Sequence, residues 1–173
     1  MSIKLNKTID LIIFTGDLVS GGNKENFDIA KQTIEYLLNA FSLEKDKFIY
    51  IPGNHEVDTS AIKSYYFTGL QSENDKNKWN IYDFKKDTDL NHQLKEYINF
   101  EYSINFNNDI ITNLFYNIND VKIGITTINS AWFSKGDTKE DRDRILIPPK
   151  KIKDAFLELK NVDLKIAIMH HPY

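Results

Sequence analysis

Three apolar segments of this sequence end in side chains that can bind a metal ion or move a proton. Residues 12–15, 48–51 and 165–169 are apolar over most of their length, and polar residues follow each of them. The three groups that follow are Gly16-Asp17, Gly53-Asn54-His55-Glu56 and His170-His171-Pro172. Carboxylate, amide and imidazole groups are ligands for hard and borderline metals, and an imidazole also donates a proton near neutral pH. The repetition predicts a metal site with a proton donor beside it.

The elements around these groups indicate an α/β fold. Short apolar strands alternate with segments of helical periodicity, and sites in such folds form at strand ends. Apolar residues recur at helical spacing over residues 24–41, with Asn23 placed to cap the helix. Two apolar segments, 114–118 and 121–128, flank the turn residues Asn119-Asp120 and predict a hairpin.

The remaining segments predict two more helices and two surface regions. A helix is expected near residues 90–100, and Pro148-Pro149 opens another before the strand 164–169. Residues 71–89 are rich in Asn, Asp and Lys, which predicts a surface insertion. The charged segment 135–144 predicts a solvated loop.

Composition limits the classes of function. The chain has 173 residues, of which 41% are hydrophobic, and this suits a single domain. It contains no cysteine, so disulfides, thiolate zinc sites and a cysteine nucleophile are excluded, and a metal would have only nitrogen and oxygen ligands. A net charge of -3 gives no basic field, so strong nucleic-acid binding is not expected. The sequence shows no membrane span and no signal peptide in residues 1–10, so we expect a cytoplasmic protein.

In this order, the three polar groups resemble motif blocks of the calcineurin-like metallophosphoesterase family. They are similar to its second, third and fourth blocks. The resemblance implies an α/β fold, the four-layer α/β/β/α sandwich. An Asp-x-His block before these blocks and a Gly-His-x-His block after them are not found. We therefore expect a partial domain over residues 1–173, truncated at both ends. Residues 16–20 and 128–130 are more similar to bacterial, cyclic-nucleotide-phosphodiesterase-like relatives than to protein phosphatases.

The resemblance implies a role for each central side chain. Asp17 would bridge two divalent metal ions, and Asn54 and His170 would bind the second of them. His55 would act as general acid or transition-state stabiliser near the leaving-group oxygen. Two cations about 3.5–4 Å apart would bind the phosphoester substrate and neutralise its developing charge, and Mn, Fe, Zn, Ni or Mg would serve. The other candidates, for contacts with these ligands or the substrate, are Glu56, Asn129, His171 and Tyr173.

Plainer interpretations exist for the same residues. Asp17 alone fits a turn or a helix cap, and an Asn-His pair after Pro-Gly is ordinarily a turn. Either His170 or His171 can be the ligand, and His170 is favoured because it follows the strand directly. His92 is expected at the surface.

Two classes of function follow from the sequence. The first is a metal-dependent hydrolase of phosphomonoesters or phosphodiesters, with further domains in a longer parent protein. The second is a non-catalytic scaffold or partner-binding module with a degenerate site of the same fold. Because only Asp17, Asn54 and His170 match the family's ligands, the isolated chain is expected to be inactive.

Overall fold

The computed structural model describes residues 8–61, 92–106, 109–136, 141 and 147–171. The expected insertion at 71–89 and Tyr173 lie outside these residues. The strands and α-helices are β1 (Ile12–Phe14), α1 (Lys24–Phe41), β2 (Phe48–Tyr50), α2 (Lys95–Asn99), β3 (Ile111–Ile118), β4 (Val121–Ile128), α3 (Pro149–Glu158) and β5 (Leu164–Met169). Short 3₁₀ helices lie at Lys45–Lys47, Asn54–Glu56, Thr59–Ala61, Ser130–Phe133 and Leu159–Asn161.

The strands form two sheets. β1 and β2 are parallel, with Phe14 opposite Tyr50 near their carboxyl ends. In the second sheet β4 is central, antiparallel to β3 and parallel to β5, with Ile128 opposite Met169. Parallel pairing brings the carboxyl ends of β1 and β2 together, and likewise those of β4 and β5. The polar groups that follow these strands are thereby brought to common edges.

Helix α1 forms as its periodicity predicts. Its buried face consists of Phe27, Ala30, Ile34 and Leu38. The side chain of Asn23 accepts a hydrogen bond from the backbone N–H of Asn26 at 3.0 Å, which satisfies a donor of the first turn. Ser42, in a left-handed conformation, ends the helix. The predicted bounds and the predicted cap are both confirmed.

The predicted hairpin of β3 and β4 is also confirmed. Asn119 and Asp120 have φ angles of 51° and 66°, the left-handed pair that a tight two-residue hairpin turn requires. β3 begins earlier than expected, at Ile111, because the ladder continues to the Ile111–Ile128 pair.

The helix expected near residues 90–100 is confirmed within the described residues, where a 3₁₀ turn at 92–94 leads directly into α2. The side chain of Gln93 in that turn donates to the carbonyls of Trp132 and Ser134. In the charged segment, Asp141 is buried and accepts a hydrogen bond from the backbone N–H of Lys135 at 2.7 Å. The expectation of a solvated loop is therefore wrong at Asp141, and residues 137–140 and 142–144 lie outside the described part of the chain.

The two sheets contribute to one hydrophobic core. It contains Ile49 and Ile51 from the first sheet and Ile125 and Ile168 from the second, together with the buried face of α1. On the second sheet, a Cβ at Gly124 would lie 2.7 Å from the Leu159 side chain, so the segment after α3 packs directly on β4. Within the described residues the architecture is mixed α/β, with two sheets and few helices.

The outer edge of β1 has no strand partner among the described residues, and Ile13 is 36% exposed there. In the same part of the chain, no helix combines the length and apolar character needed to cross a bilayer.

The aromatic centre of the core yields a stability prediction. The fully buried Tyr97 donates its hydroxyl to the Tyr50 carbonyl at 2.7 Å and accepts from the Ile104 N–H at 3.1 Å. Tyr97→Phe leaves both groups without this partner, so the free energy of unfolding in urea should fall by about 1–3 kcal/mol. The matched control is Tyr36→Phe, whose ring is 73% exposed and should leave stability unchanged. Equal effects would contradict the role given to the Tyr97 hydroxyl.

Candidate metal centre

Side chains from three strand ends meet at one point between the two sheets. The His170 Nε2 atom, after β5, lies 3.1 Å from Asn54 Oδ1, after β2. The same nitrogen lies 3.4 Å from Asp17 Oδ2, after β1. The structure thus brings together the three residues for which the sequence predicted metal binding.

The orientation of the His170 ring determines what this meeting point can bind. Its Nδ1 atom lies 2.7 Å from the Thr15 carbonyl oxygen, and a carbonyl only accepts hydrogen bonds. Nδ1 therefore carries a proton, and in the neutral imidazole Nε2 presents its lone pair to Asn54 and Asp17. Three acceptor atoms then face one another, an arrangement that a cation satisfies.

Asp17 reaches this position through an unusual backbone conformation. Its φ angle is 60° and that of Gly16 is 101°, so both residues are in the left-handed region. Asp is among the few non-glycine residues that adopt this region readily. The turn directs the carboxylate back toward β2, where Asp17 Oδ1 accepts the His55 N–H at 3.1 Å.

Two glycines are required for the close approach of these groups. A Cβ at Gly16 would lie 2.5 Å from His170 Nδ1, and one at Gly53 would lie 2.8 Å from His170 Cε1 and collide with Asp17 Oδ1. Any side chain at either position would displace a candidate ligand. Glycine here is a geometric condition for the site.

A buried carboxylate, that of Glu56, organises the turns that carry the site. Glu56 is 1% exposed. It accepts the successive N–H groups of Asp17, Leu18 and Val19 at 2.8, 2.7 and 3.1 Å. It also accepts the Gly53 N–H at 2.5 Å and the Tyr50 hydroxyl at 2.7 Å. One side chain therefore fixes the turn after β1 and the turn after β2 relative to each other.

Tyr50 donates to Glu56 throughout the ordinary pH range. Burial raises the pKa of the Tyr50 hydroxyl, and the negative charge of Glu56 raises it further. The phenol therefore stays neutral, which keeps its proton on the hydrogen bond to the carboxylate.

His55 has a fixed backbone and an exposed side chain. Its N–H donates to Asp17 Oδ1 at 3.1 Å, and its carbonyl accepts from the Gly21 N–H at 3.0 Å. The residue itself is exposed and directly follows the candidate ligand Asn54 in the chain. A general acid needs a fixed backbone next to the site and a side chain that can reach a substrate.

His171 points away from the three ligands, into a second polar cluster at the ends of β4 and β5. Its Nδ1 lies 2.8 Å from the Ser130 hydroxyl, and its Nε2 lies 4.0 Å from Asp141 Oδ2. Burial lowers the pKa of His171 and the neighbouring His170 lowers it further, whereas Asp141 and Asp17 act in the opposite direction. Of the two histidines, only His170 faces Asp17 and Asn54.

Sequence analysis did not identify several contributors to the site. Three of the five donors to Glu56, the Thr15 carbonyl and the Ser130 hydroxyl act through contacts between residues far apart in the chain. The one available signal was the position of Glu56 and Ser130 directly after apolar strands. Among the described residues there is no group of three or more His, Cys, Asp or Glu side chains placed to hold a metal, and this site has two plus an amide.

The role of Glu56 leads to a prediction. In Glu56→Gln, the amide NH₂ would face at least two of the present donors whichever way it is oriented. The free energy of unfolding should therefore fall by at least about 2 kcal/mol, as measured by urea titration. Glu44→Gln makes the same chemical change at an exposed position and should have no effect. If the two variants were equally stable, Glu56 would not be the organising residue.

Comparisons with known proteins identify the family. A family model described as calcineurin-like phosphoesterase matches residues 2–173. Neither the curated proteins nor the solved structures gave a match. The matched range covers the strand ends that carry Asp17, Asn54, His55 and His170. This chain belongs to the calcineurin-like phosphoesterase family.

Proposed function

We propose that this chain contributes the metal-binding and proton-donating side chains of a phosphoester hydrolase, with Asp17, Asn54 and His170 binding a divalent cation. The family implies metal-dependent phosphoester hydrolysis in general. The observation that carries the assignment to these residues is the meeting of His170 Nε2 with two oxygens, Asn54 Oδ1 at 3.1 Å and Asp17 Oδ2 at 3.4 Å.

The residues present fit a hard or borderline cation. A carboxylate oxygen, an amide oxygen and an imidazole nitrogen suit Mn, Fe, Zn, Ni or Mg, and the chain has no thiolate to favour a softer metal. The Thr15 carbonyl fixes the His170 tautomer, as a hydrogen-bond partner commonly does for a metal-binding histidine. Asp17, with two oxygens and a negative charge, is the residue proposed to bridge to a second cation.

The proposed reaction is hydrolysis of a phosphomonoester or phosphodiester. Divalent cations, when bound, hold the phosphoryl oxygens and neutralise the charge that develops there. Asp17, Asn54 and His170 would hold the cation and thereby position the substrate. His55 donates a proton to the leaving oxygen, since its backbone is fixed on Asp17 and its ring is exposed.

The fold supports the same proposal. α1 shares the core with the first sheet, and the segment after α3 packs on the second. These packing contacts support the proposal that the elements belong to a four-layer α/β/β/α sandwich with the site at its strand ends. The remaining ligands of a second cation would come from outside the described residues, from elsewhere in a longer parent protein, or from a second copy.

A second candidate function is a partner-binding scaffold with an incomplete site. Two observations favour it, each within the described residues. The site has only three candidate ligand side chains, and the outer edge of β1 is unpaired. Two other features favour the hydrolase: the His55 backbone is fixed on Asp17, and Gly53 lets Asp17 and His170 come close to each other. A scaffold has no physical need for either.

Manganese binding tests the ligand assignment. We expect the chain to bind Mn²⁺, with affinity reduced by at least about tenfold in Asp17→Asn and His170→Ala, as measured from the electron paramagnetic resonance signal of free Mn²⁺. His55→Ala should retain the affinity of the unaltered chain, because His55 is not a ligand. His92→Ala is the matched control, since that histidine is exposed. Equal loss of affinity in His55→Ala would show that its role was assigned wrongly.

Hydrolysis tests the completeness of the site. Three ligand side chains are too few for two cations, so the isolated chain with Mn²⁺ should hydrolyse bis-p-nitrophenyl phosphate no faster than its Asp17→Asn variant. In a protein that supplies the missing ligands, His55→Ala should keep its metal and lose about 10²–10⁴-fold in rate, the usual size of a general-acid contribution. Robust turnover by the isolated chain would mean that ligands exist beyond the three assigned here.

A further inference from the structure

A buried polar cluster lies directly behind His170. Its members are Asn129 and Ser130 at the end of β4, His171 after β5, and Asp141. All four are buried, and Ser130 is 0% exposed. None of them contacts Asp17 or Asn54 in the described hydrogen bonds, so the cluster is separate from the three candidate ligands.

The Ser130 hydroxyl contacts His171 twice, once at its backbone and once at its ring. Its oxygen accepts the backbone N–H of His171 at 3.2 Å, and it lies 2.8 Å from His171 Nδ1. Among the described residues, Nδ1 is the acceptor available to the buried hydroxyl proton, so the hydroxyl donates to Nδ1. The proton of the neutral His171 ring is then on Nε2.

His171 depends on Ser130 for its orientation. Its Nε2 is buried without a hydrogen-bond partner among the described residues, and the nearest carboxylate oxygen, on Asp141, is 4.0 Å away. The Ser130 hydroxyl is therefore the one hydrogen bond that holds the ring. Loss of that bond would release both the ring and the backbone N–H of His171.

The orientation of His171 is transmitted to His170. The two rings are perpendicular, with centroids 4.8 Å apart and an interplanar angle of 89°. His171 thus forms one wall of the space in which the His170 ring lies. The opposite restraint is the Thr15 carbonyl, 2.7 Å from His170 Nδ1.

We propose that Ser130 and His171 are positioning residues of the metal centre, which hold His170 so that its Nε2 faces Asp17 and Asn54. This inference rests on the proposed function. The Ser130 hydroxyl ties the end of β5 to the end of β4, and the His171 ring limits rotation of the His170 ring. The pair acts through His170 and touches neither cation nor substrate.

Ser130→Ala tests this proposal against a matched control in the preceding strand. Thr127→Val removes a fully buried hydroxyl of β4, which donates to the Thr112 carbonyl at 3.0 Å and does not contact a histidine. We expect Ser130→Ala to weaken Mn²⁺ binding about tenfold, the usual effect of losing a residue that orients a ligand. Thr127→Val should leave the dissociation constant unchanged.

A metal-free readout separates this proposal from the proposed function. In the unaltered chain, nitrogen-15 NMR of the imidazoles should show His170 protonated at Nδ1, and Ser130→Ala should shift it toward a mixture of tautomers. If His170→Ala bound Mn²⁺ as tightly as the unaltered chain, the proposed function would fail while the NMR result still tested the positioning. If Mn²⁺ binding required His170 but Ser130→Ala changed neither readout, the positioning role would be overturned.

A second pair of variants decides the question if Ser130→Ala does not fold. His171→Asn keeps a polar group near the Nδ1 position, whereas His171→Leu has similar bulk without one. We expect His171→Asn to retain the Mn²⁺ affinity and the His170 tautomer better than His171→Leu. Equal behaviour of the two variants would contradict a role for the Ser130 hydrogen bond.

Discussion

The geometry of the candidate metal centre depends on one buried carboxylate. Glu56 accepts five hydrogen bonds from groups that belong to two different strand-end turns and to the core residue Tyr50. Charge-assisted bonds of this kind are roughly twice as strong as neutral ones. By joining both turns, this carboxylate sets their arrangement relative to each other. Asp17 and Asn54 then occupy fixed positions relative to each other.

The third candidate ligand comes from the other sheet, so the site also joins the two sheets. His170 contacts the Thr15 carbonyl at the end of β1 and the Asn54 side chain after β2. The shared core brings the sheets together, and these polar contacts join them at the site. A site assembled in this way is sensitive to small shifts of either sheet, which explains why glycine is needed at positions 16 and 53.

The sequence predicted the local features of this protein well and the long-range ones poorly. Helix α1, the hairpin and β5 follow from periodicity and turn residues, and the grouping of polar residues at strand ends identified Asp17, Asn54 and His170 as neighbours. It did not indicate which buried polar groups pair, because the partner of Ser130 and three of the five partners of Glu56 are about 40 residues away in the chain. Asp141 was missed for a different reason, since its partners are near in the chain but a charged segment gives no sign that one member is buried.

The arrangement around Glu56 has a consequence for substrate recognition. Three consecutive backbone N–H groups at residues 17–19 form a concave nest of the kind that binds phosphate in many proteins. Here an internal anion already fills that nest. A phosphoryl group therefore cannot use these donors, and it meets the carboxylate of Asp17 instead. Without bound cations the Asp17 carboxylate would repel a phosphoester, so in the proposed hydrolase anion recognition and catalysis would both require the same ions.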